Sequence, residues 1–210
     1  MKVYIIHYKV LTNRKETILY QLQQNNITNY EFVECFDDKY KYKFDDNYKE
    51  AMLSLTSKHF TIYKKIAEND ECALILEDDV ILNEDFSNIL NKYVAQLPSD
   101  YDMLFLGDGC GYHIEKDRIK EDIYVYEKCL YPTNWGGDGA TRCTDSYIMS
   151  KKCAIKLSNY IDNLNYKITL NSDWWLNVAA RDNNFKVYWA EPTIIINGSI
   201  RGYYKTEMNN

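Results

Sequence analysis

Three consecutive carboxylates end a hydrophobic run in ALILEDDV, residues 73–80. The run reads as a buried strand, and in open α/β sheets ligands bind beyond the carboxyl ends of the strands. Glu77, Asp78 and Asp79 repel one another when ionised, so a cation among them is favoured. Hard oxygen ligands suit Mg2+ or Mn2+, which take one or two carboxylates together with substrate phosphates. The plainer reading is a solvated acidic turn that caps the next helix. Asp173 is the next candidate, at the start of SDWWLNVAAR, residues 172–181. An acid in a first helical turn favours the helix dipole. With Trp174 and Trp175 beside it, the same acid can lie against an apolar wall that raises its pKa and stacks on a sugar or base. His59 is the third. It shares a helical stripe with Leu55, Ile62 and Ile66, where a satisfied core histidine is the plain reading and a functional imidazole the sharper one.

These residues need elements to hold them. VYIIHY at the start reads as a strand buried on both faces. Asn13 and Glu16 have capping-box spacing and predict a helix through Ile18, Leu19 and Leu22. EFVECF, 31–36, reads as a second strand, and 37–50 as a polar, mobile connection. Asn83, Glu84 and Asp85 open a helix whose stripe is Phe86, Ile89, Leu90, Tyr93, Val94 and Leu97. DMLFLG, IYVYEK and SYIMS are further strands, with Ser150 capping a helix through Leu157 and Ile161. FKVYWAEP and TIIING close the chain as extended segments. Alternating strands and helices predict an α/β sheet covered on both faces. NWGGDGATR, 134–142, carries no phosphate-loop fingerprint and reads as a mobile substrate loop.

Composition narrows the options. The 210 residues favour one domain, and 27% charged with 46% hydrophobic residues argue against disorder. A net charge of −6 without a basic patch disfavours nucleic-acid binding. Apolar runs are too short for a transmembrane segment, and no export signal opens the chain, which predicts a cytoplasmic protein. The six cysteines form no ligand-spaced pair and read as reduced thiols rather than a zinc site.

Taken in order, KHFTIYKKI, ALILEDDV, DMLFLG, TDSYIMSKKCAIKL, NSDWWLN and VYWAEPTIIINGS, preceded by the opening strand and NRKE, resemble glycosyltransferase family 25. That family includes lipopolysaccharide and collagen galactosyltransferases. Two positions depart from its pattern. Lys58 replaces a serine before His59, and no histidine follows residue 113 to act as a late metal ligand, leaving Asn197, Ser199 or a water for that place.

The resemblance implies a single-domain GT-A-type fold with a mixed central sheet flanked by helices. Residues 1–108 would form the nucleotide-sugar-binding half and 109–210 the acceptor-binding half. It implies a metal-dependent inverting transfer of a hexose, galactose or glucose, from a UDP-sugar to a glycan or protein hydroxyl, with Mn2+ or Mg2+ as cofactor. Asp79 and Glu77 would serve the metal. Ile6, His7, Tyr8, Arg14, Glu77 and Asp78 would hold the donor, Asp173 would be the base, and Trp174 and Trp175 would bind acceptor. A catalytically inactive relative that binds nucleotide-sugar or protein is the alternative. A haloacid-dehalogenase-like phosphatase is disfavoured because Val80, not an acid, stands two residues after Asp78. A nucleotidyltransferase is disfavoured because VYIIHYKVLTNRKE has no glycine.

Overall fold

The computed structural model describes residues 1–34, 42–128, 139 and 141–205. The strongest sequence signals become the centre of the sheet. Strand β1 (Lys2–Ile6), β2 (Tyr30–Val33) and β3 (Cys72–Glu77) pair in parallel, with β1 in the middle. Ala73, Leu74, Ile75 and Leu76 are all buried, as a strand covered on both faces requires. The remaining elements, in chain order, are α1 (Thr12–Gln24), α2 (Glu50–Asn69), β4 (Val80–Leu82), α3 (Phe86–Val94), β5 (Met103–Phe105), β6 (Val125–Glu127), β7 (Ser146–Ser150), α4 (Lys151–Asp162), α5 (Ser172–Asp182), β8 (Val187–Ala190) and β9 (Ile195–Asn197).

The main sheet has seven strands in the order β2-β1-β3-β7-β5-β8-β6. Strand β7 is antiparallel to both neighbours, β3 and β5, so the sheet is mixed. It comes from the second half of the chain yet lies between two strands of the first. Helices cover both faces. Phe60, Ile62, Tyr63 and Ile66 of α2 pack with Cys153, Ala154 and Leu157 of α4 and Trp175 and Leu176 of α5 on one side. Ile18 and Leu22 of α1 join Phe86, Leu90 and Tyr93 of α3 on the other.

Several local expectations shift. Helix α1 starts at Thr12 with Leu11 at its N-cap and no side-chain cap bond, so Asn13 is not the cap. A turn closed by the Leu11 N–H on the Tyr8 carbonyl, 2.8 Å, draws the chain into the helix early. Asn13 is then inside it, and its carbonyl accepts from Thr17 Oγ1. Ser150 does cap α4, accepting from the Cys153 N–H at 3.2 Å. Asn83 accepts from the Asp85 N–H in the turn before α3. Strand β4, which periodicity did not separate from its flanks, pairs with β9 in a small antiparallel sheet. Most of the 134–142 loop, and residues 37–41 of the predicted connection, lie outside the described residues.

Candidate active site

Sheet direction gathers the site. Ile6 pairs with Glu77, so β1 and β3 stop at one edge. Leu76 pairs with Ser146, so antiparallel β7 begins at that same edge. The Glu77 N–H donates to the Asp145 carbonyl, 2.8 Å. The chain then passes from β3 into β4, and the β9 end returns across it, where the Gly198 N–H donates to the Asp79 carbonyl at 2.8 Å. Only glycine allows that approach, because a Cβ at residue 198 would sit 2.6 Å from the Asp79 oxygen.

Asp78 is consumed by its neighbours. Its Oδ2 lies 2.7 Å from His7 Nδ1 and accepts the Tyr8 N–H at 3.3 Å, while Oδ1 accepts Arg14 Nη1 at 3.0 Å. These bonds tie the exit of β1 to the start of α1. The same arrangement turns the fully buried His7 side chain inward. The guanidinium of Arg14 also reaches Ser199 Oγ at 3.4 Å, and lies 3.9 Å from Asp79 Oδ2 and 5.4 Å from the Tyr204 ring centroid.

Asp79 and Glu77 are differently placed. Asp79 is buried; Ser199 donates to its Oδ2, and its Oδ1 has no hydrogen-bond partner. Glu77 keeps 20% side-chain exposure and accepts Thr144 Oγ1 at 3.1 Å. His59 Nε2 stands 3.5 Å from Glu77, but burial depresses the imidazole to about 3, so it is neutral and offsets no charge. Its Nδ1 pairs with the Tyr147 hydroxyl at 2.8 Å, the held core histidine of the plainer expectation. Burial pushes Glu77 up to about 8, with Asp79 adding to it, and burial also raises Asp79. Asp145, held by Ser146 at 2.7 Å and Asn197 at 2.9 Å, is pushed by burial to about 7. Crowded carboxylates with an orphaned buried oxygen suit a hard divalent cation, whose charge would remove the cost of ionising them.

A pH dependence follows for the metal-free protein. Glu77 ordinarily ionises near 4.5 but in the fold near 8. Between those values the unfolded chain has lost a proton that the folded chain keeps, so raising the pH favours unfolding. The melting temperature of wild type relative to Glu77→Gln should fall from about pH 4.5 to about pH 8, and saturating Mn2+ should reduce that fall. A difference that is flat with pH would contradict it.

Asp173, in the first turn of α5, lies close enough to Glu77 for their charges to interact. Thr144 bridges the two sides, bonded to Glu77 and lying 2.9 Å from Ser172 Oγ. Burial raises Asp173, opposed by the N–H groups of Trp174 and of Asp173 itself.

The chain matches the sequence profile described as glycosyltransferase family 25 (LPS biosynthesis protein) over residues 1–174. It belongs to glycosyltransferase family 25. A protein of Acanthamoeba polyphaga mimivirus provisionally named a glycosyltransferase is 25% identical over 140 residues, covering 60% of this chain and 42% of that protein. The chain thus spans less than half the length of that relative. Among solved structures, galactosyltransferase LgtC in complex with donor and acceptor sugar analogs aligns with a TM-score of 0.52 at 9% identity, covering 90% of this chain and 73% of the other. A glycosyltransferase involved in glycosylating the major capsid of PBCV-1 aligns at 0.51 and 10% identity, covering 94% of each chain. Likeness at this identity is one of fold, and the fold is GT-A.

Within this family-25 chain the expected residues divide. Glu77, Asp78, Asp79, His7, Tyr8 and Arg14 come together. Ile6 is next to them through its pairing with Glu77, but its side chain belongs to the core. Trp175 is a correction. It is 3% exposed and packs on Phe60, ring centroids 4.5 Å apart, because neighbouring residues on a helix point about 100° apart and α5 turns this one inward. Trp174 is half-buried and remains a candidate wall. Trp175→Ala should therefore cost about 3–5 kcal/mol of stability, and Trp174→Ala much less. Chemical denaturation reads both, and equal costs would undo the distinction. Sequence reasoning missed Asp145 and Thr144, whose place depends on β7 running antiparallel.

Proposed function

We propose that this chain transfers a hexose, galactose or glucose, from a UDP-sugar to a hydroxyl of a glycan or protein acceptor, with inversion. Mn2+ or Mg2+ would be held by Asp79 and Glu77. The observation that carries this reading is the unpartnered, buried Asp79 Oδ1 beside Glu77 at the carboxyl edge of the sheet, in a chain of this family. Held by Asp79 and Glu77, such a cation would supply Lewis-acid stabilisation to a departing diphosphate.

The protein's own residues do the rest. The backbone from Ile6 to Tyr8 and the exposed Tyr8 ring offer the nucleoside an edge and a stacking face. Arg14, fixed by Asp78, presents positive charge toward the diphosphate side of Asp79. Asp173 accepts the proton of the acceptor hydroxyl as its oxygen bonds to the anomeric carbon. The carbon–oxygen bond to the diphosphate breaks, and its electron pair leaves with UDP. One in-line displacement with one base inverts the centre. Trp174 lines the acceptor side. A cytoplasmic location goes with this reading, and no helix among the described residues is long and apolar enough to cross a membrane.

The test is thermal stabilisation by a panel of nucleotides and nucleotide-sugars, with and without Mn2+. A ligand at about 100 times its dissociation constant adds about 2.7 kcal/mol. A Mn2+-dependent shift with one UDP-sugar, followed by transfer with that donor, is expected. No shift with any nucleotide-sugar would overturn the proposal in favour of an inactive relative that binds protein partners.

A further inference from the structure

A second set of metal-binding side chains converges beside the acid cluster. Cys110, Cys143 and Asp173 each offer one ligand atom, and the three atoms lie within 4.8 Å of one another. The cysteines are 33 residues apart, so no spacing motif announces them. The backbone is built to bring them together. Cys110 takes a left-handed conformation, φ 64°, which is uncommon for a residue with a side chain. A Cβ on Gly109 would meet Cys143 Cβ at 2.5 Å and Sγ at 2.8 Å, so glycine permits the contact. Arg142, almost wholly buried, fixes the backbone just before Cys143 through the carbonyls of Tyr112 at 3.0 Å and Ala190 at 2.9 Å. The two sulfurs end 3.4 Å apart as free thiols, Cys110 exposed and Cys143 partly so.

We propose that Cys110, Cys143 and Asp173 form a second cation site, for a thiophilic divalent ion of the Zn2+ class, whose occupation ties up the Asp173 carboxylate and silences transfer. Zinc binds sulfur at about 2.3 Å and carboxylate oxygen at about 2.0–2.2 Å in tetrahedral array, which sets sulfurs about 3.8 Å apart and sulfur to oxygen about 3.5 Å. The observed atoms, with the sulfurs 3.4 Å apart and all three within 4.8 Å, lie near those separations. The fourth position is left for water. Donor softness separates the two sites: oxygen alone at Glu77 and Asp79 suits Mg2+ or Mn2+, and two sulfurs suit Zn2+. They share no ligand. The binding claim stands on this geometry alone, whereas the silencing claim rests on the proposed role of Asp173 as base.

Co2+ is the probe, added to full-length protein kept reduced with a phosphine. Reduced wild type should show a saturable near-ultraviolet thiolate-to-cobalt charge-transfer band, displaced by Zn2+. Asp79→Ala should keep the band. Cys110→Ser and Cys143→Ser should weaken Co2+ binding at this site by at least about 100-fold, with melting curves confirming that both remain folded. No band in reduced wild type, or a band unchanged in Cys110→Ser, overturns the site. Zn2+ should then inhibit transfer measured at saturating Mn2+, and Cys110→Ser should need at least about tenfold more Zn2+ to lose half its own rate. A band with undiminished transfer overturns silencing and leaves the site standing. A band in a protein that transfers nothing under any condition counts against the proposed activity, not against the site.

Discussion

Asp79→Ala will fold, and will no longer be stabilised by Mn2+ and a UDP-sugar. The side chain is buried, one of its oxygens has no partner, and burial already resists its ionisation. Removing it therefore relieves a cost in the metal-free protein. The loss is the bond donated by Ser199, worth about 1 kcal/mol. Arg14 keeps its closer partner, Asp78, at 3.0 Å. Wild type with donor at about 100 times its dissociation constant should gain about 2.7 kcal/mol, a rise of roughly 5–10 °C for a chain of this size. Asp79→Ala should show none of that rise while its unliganded melting temperature stays close to wild type. The same donor-induced shift in both proteins would remove Asp79 from the metal site.

Asp173→Asn separates binding from chemistry. The amide has nearly the shape of the carboxylate, so the first turn of α5 and the Thr144–Ser172 contact should persist. The donor-induced thermal shift should be kept. The turnover number should drop by about 10²–10⁴, the usual contribution of a positioned base. Because burial raises the Asp173 pKa, the wild-type rate should climb with pH as that group ionises. A mutant within tenfold of wild type, or one with the same pH profile, would exclude Asp173 as the base.

What the sequence shows and hides has a physical pattern. ALIL is legible as the sheet's centre because four consecutive buried side chains leave a local hydrophobic record. The acids that follow are legible because strand ends are where sheets bind ligands. Hydrophobic periodicity, however, records burial and not direction. Nothing local in SYIMS says that it runs against β3, and so nothing local places Asp145 beside Glu77. The same blindness hides Cys110 and Cys143, joined only by the fold. The cap assigned to Asn13 failed because a turn at Tyr8–Leu11, invisible to a capping pattern, set the helix start. Trp174 and Trp175 look alike in sequence, and helix rotation alone separates the half-buried ring from the core one.

The interleaved sheet also sets an order of events during synthesis. Strands β1, β2 and β3 can pair as soon as residue 77 leaves the ribosome. One edge of β3, apolar on both faces, then waits for β7, about 70 residues later. Such an exposed edge invites pairing with another chain. Asp79 waits longer still, since Gly198 and Ser199 lie some 120 residues downstream. A nascent chain halted near residue 140 would thus carry Glu77, Asp78 and Asp79 on an unfinished sheet. Translation speed between residues 77 and 150 should matter to yield more than the stability of the finished protein does.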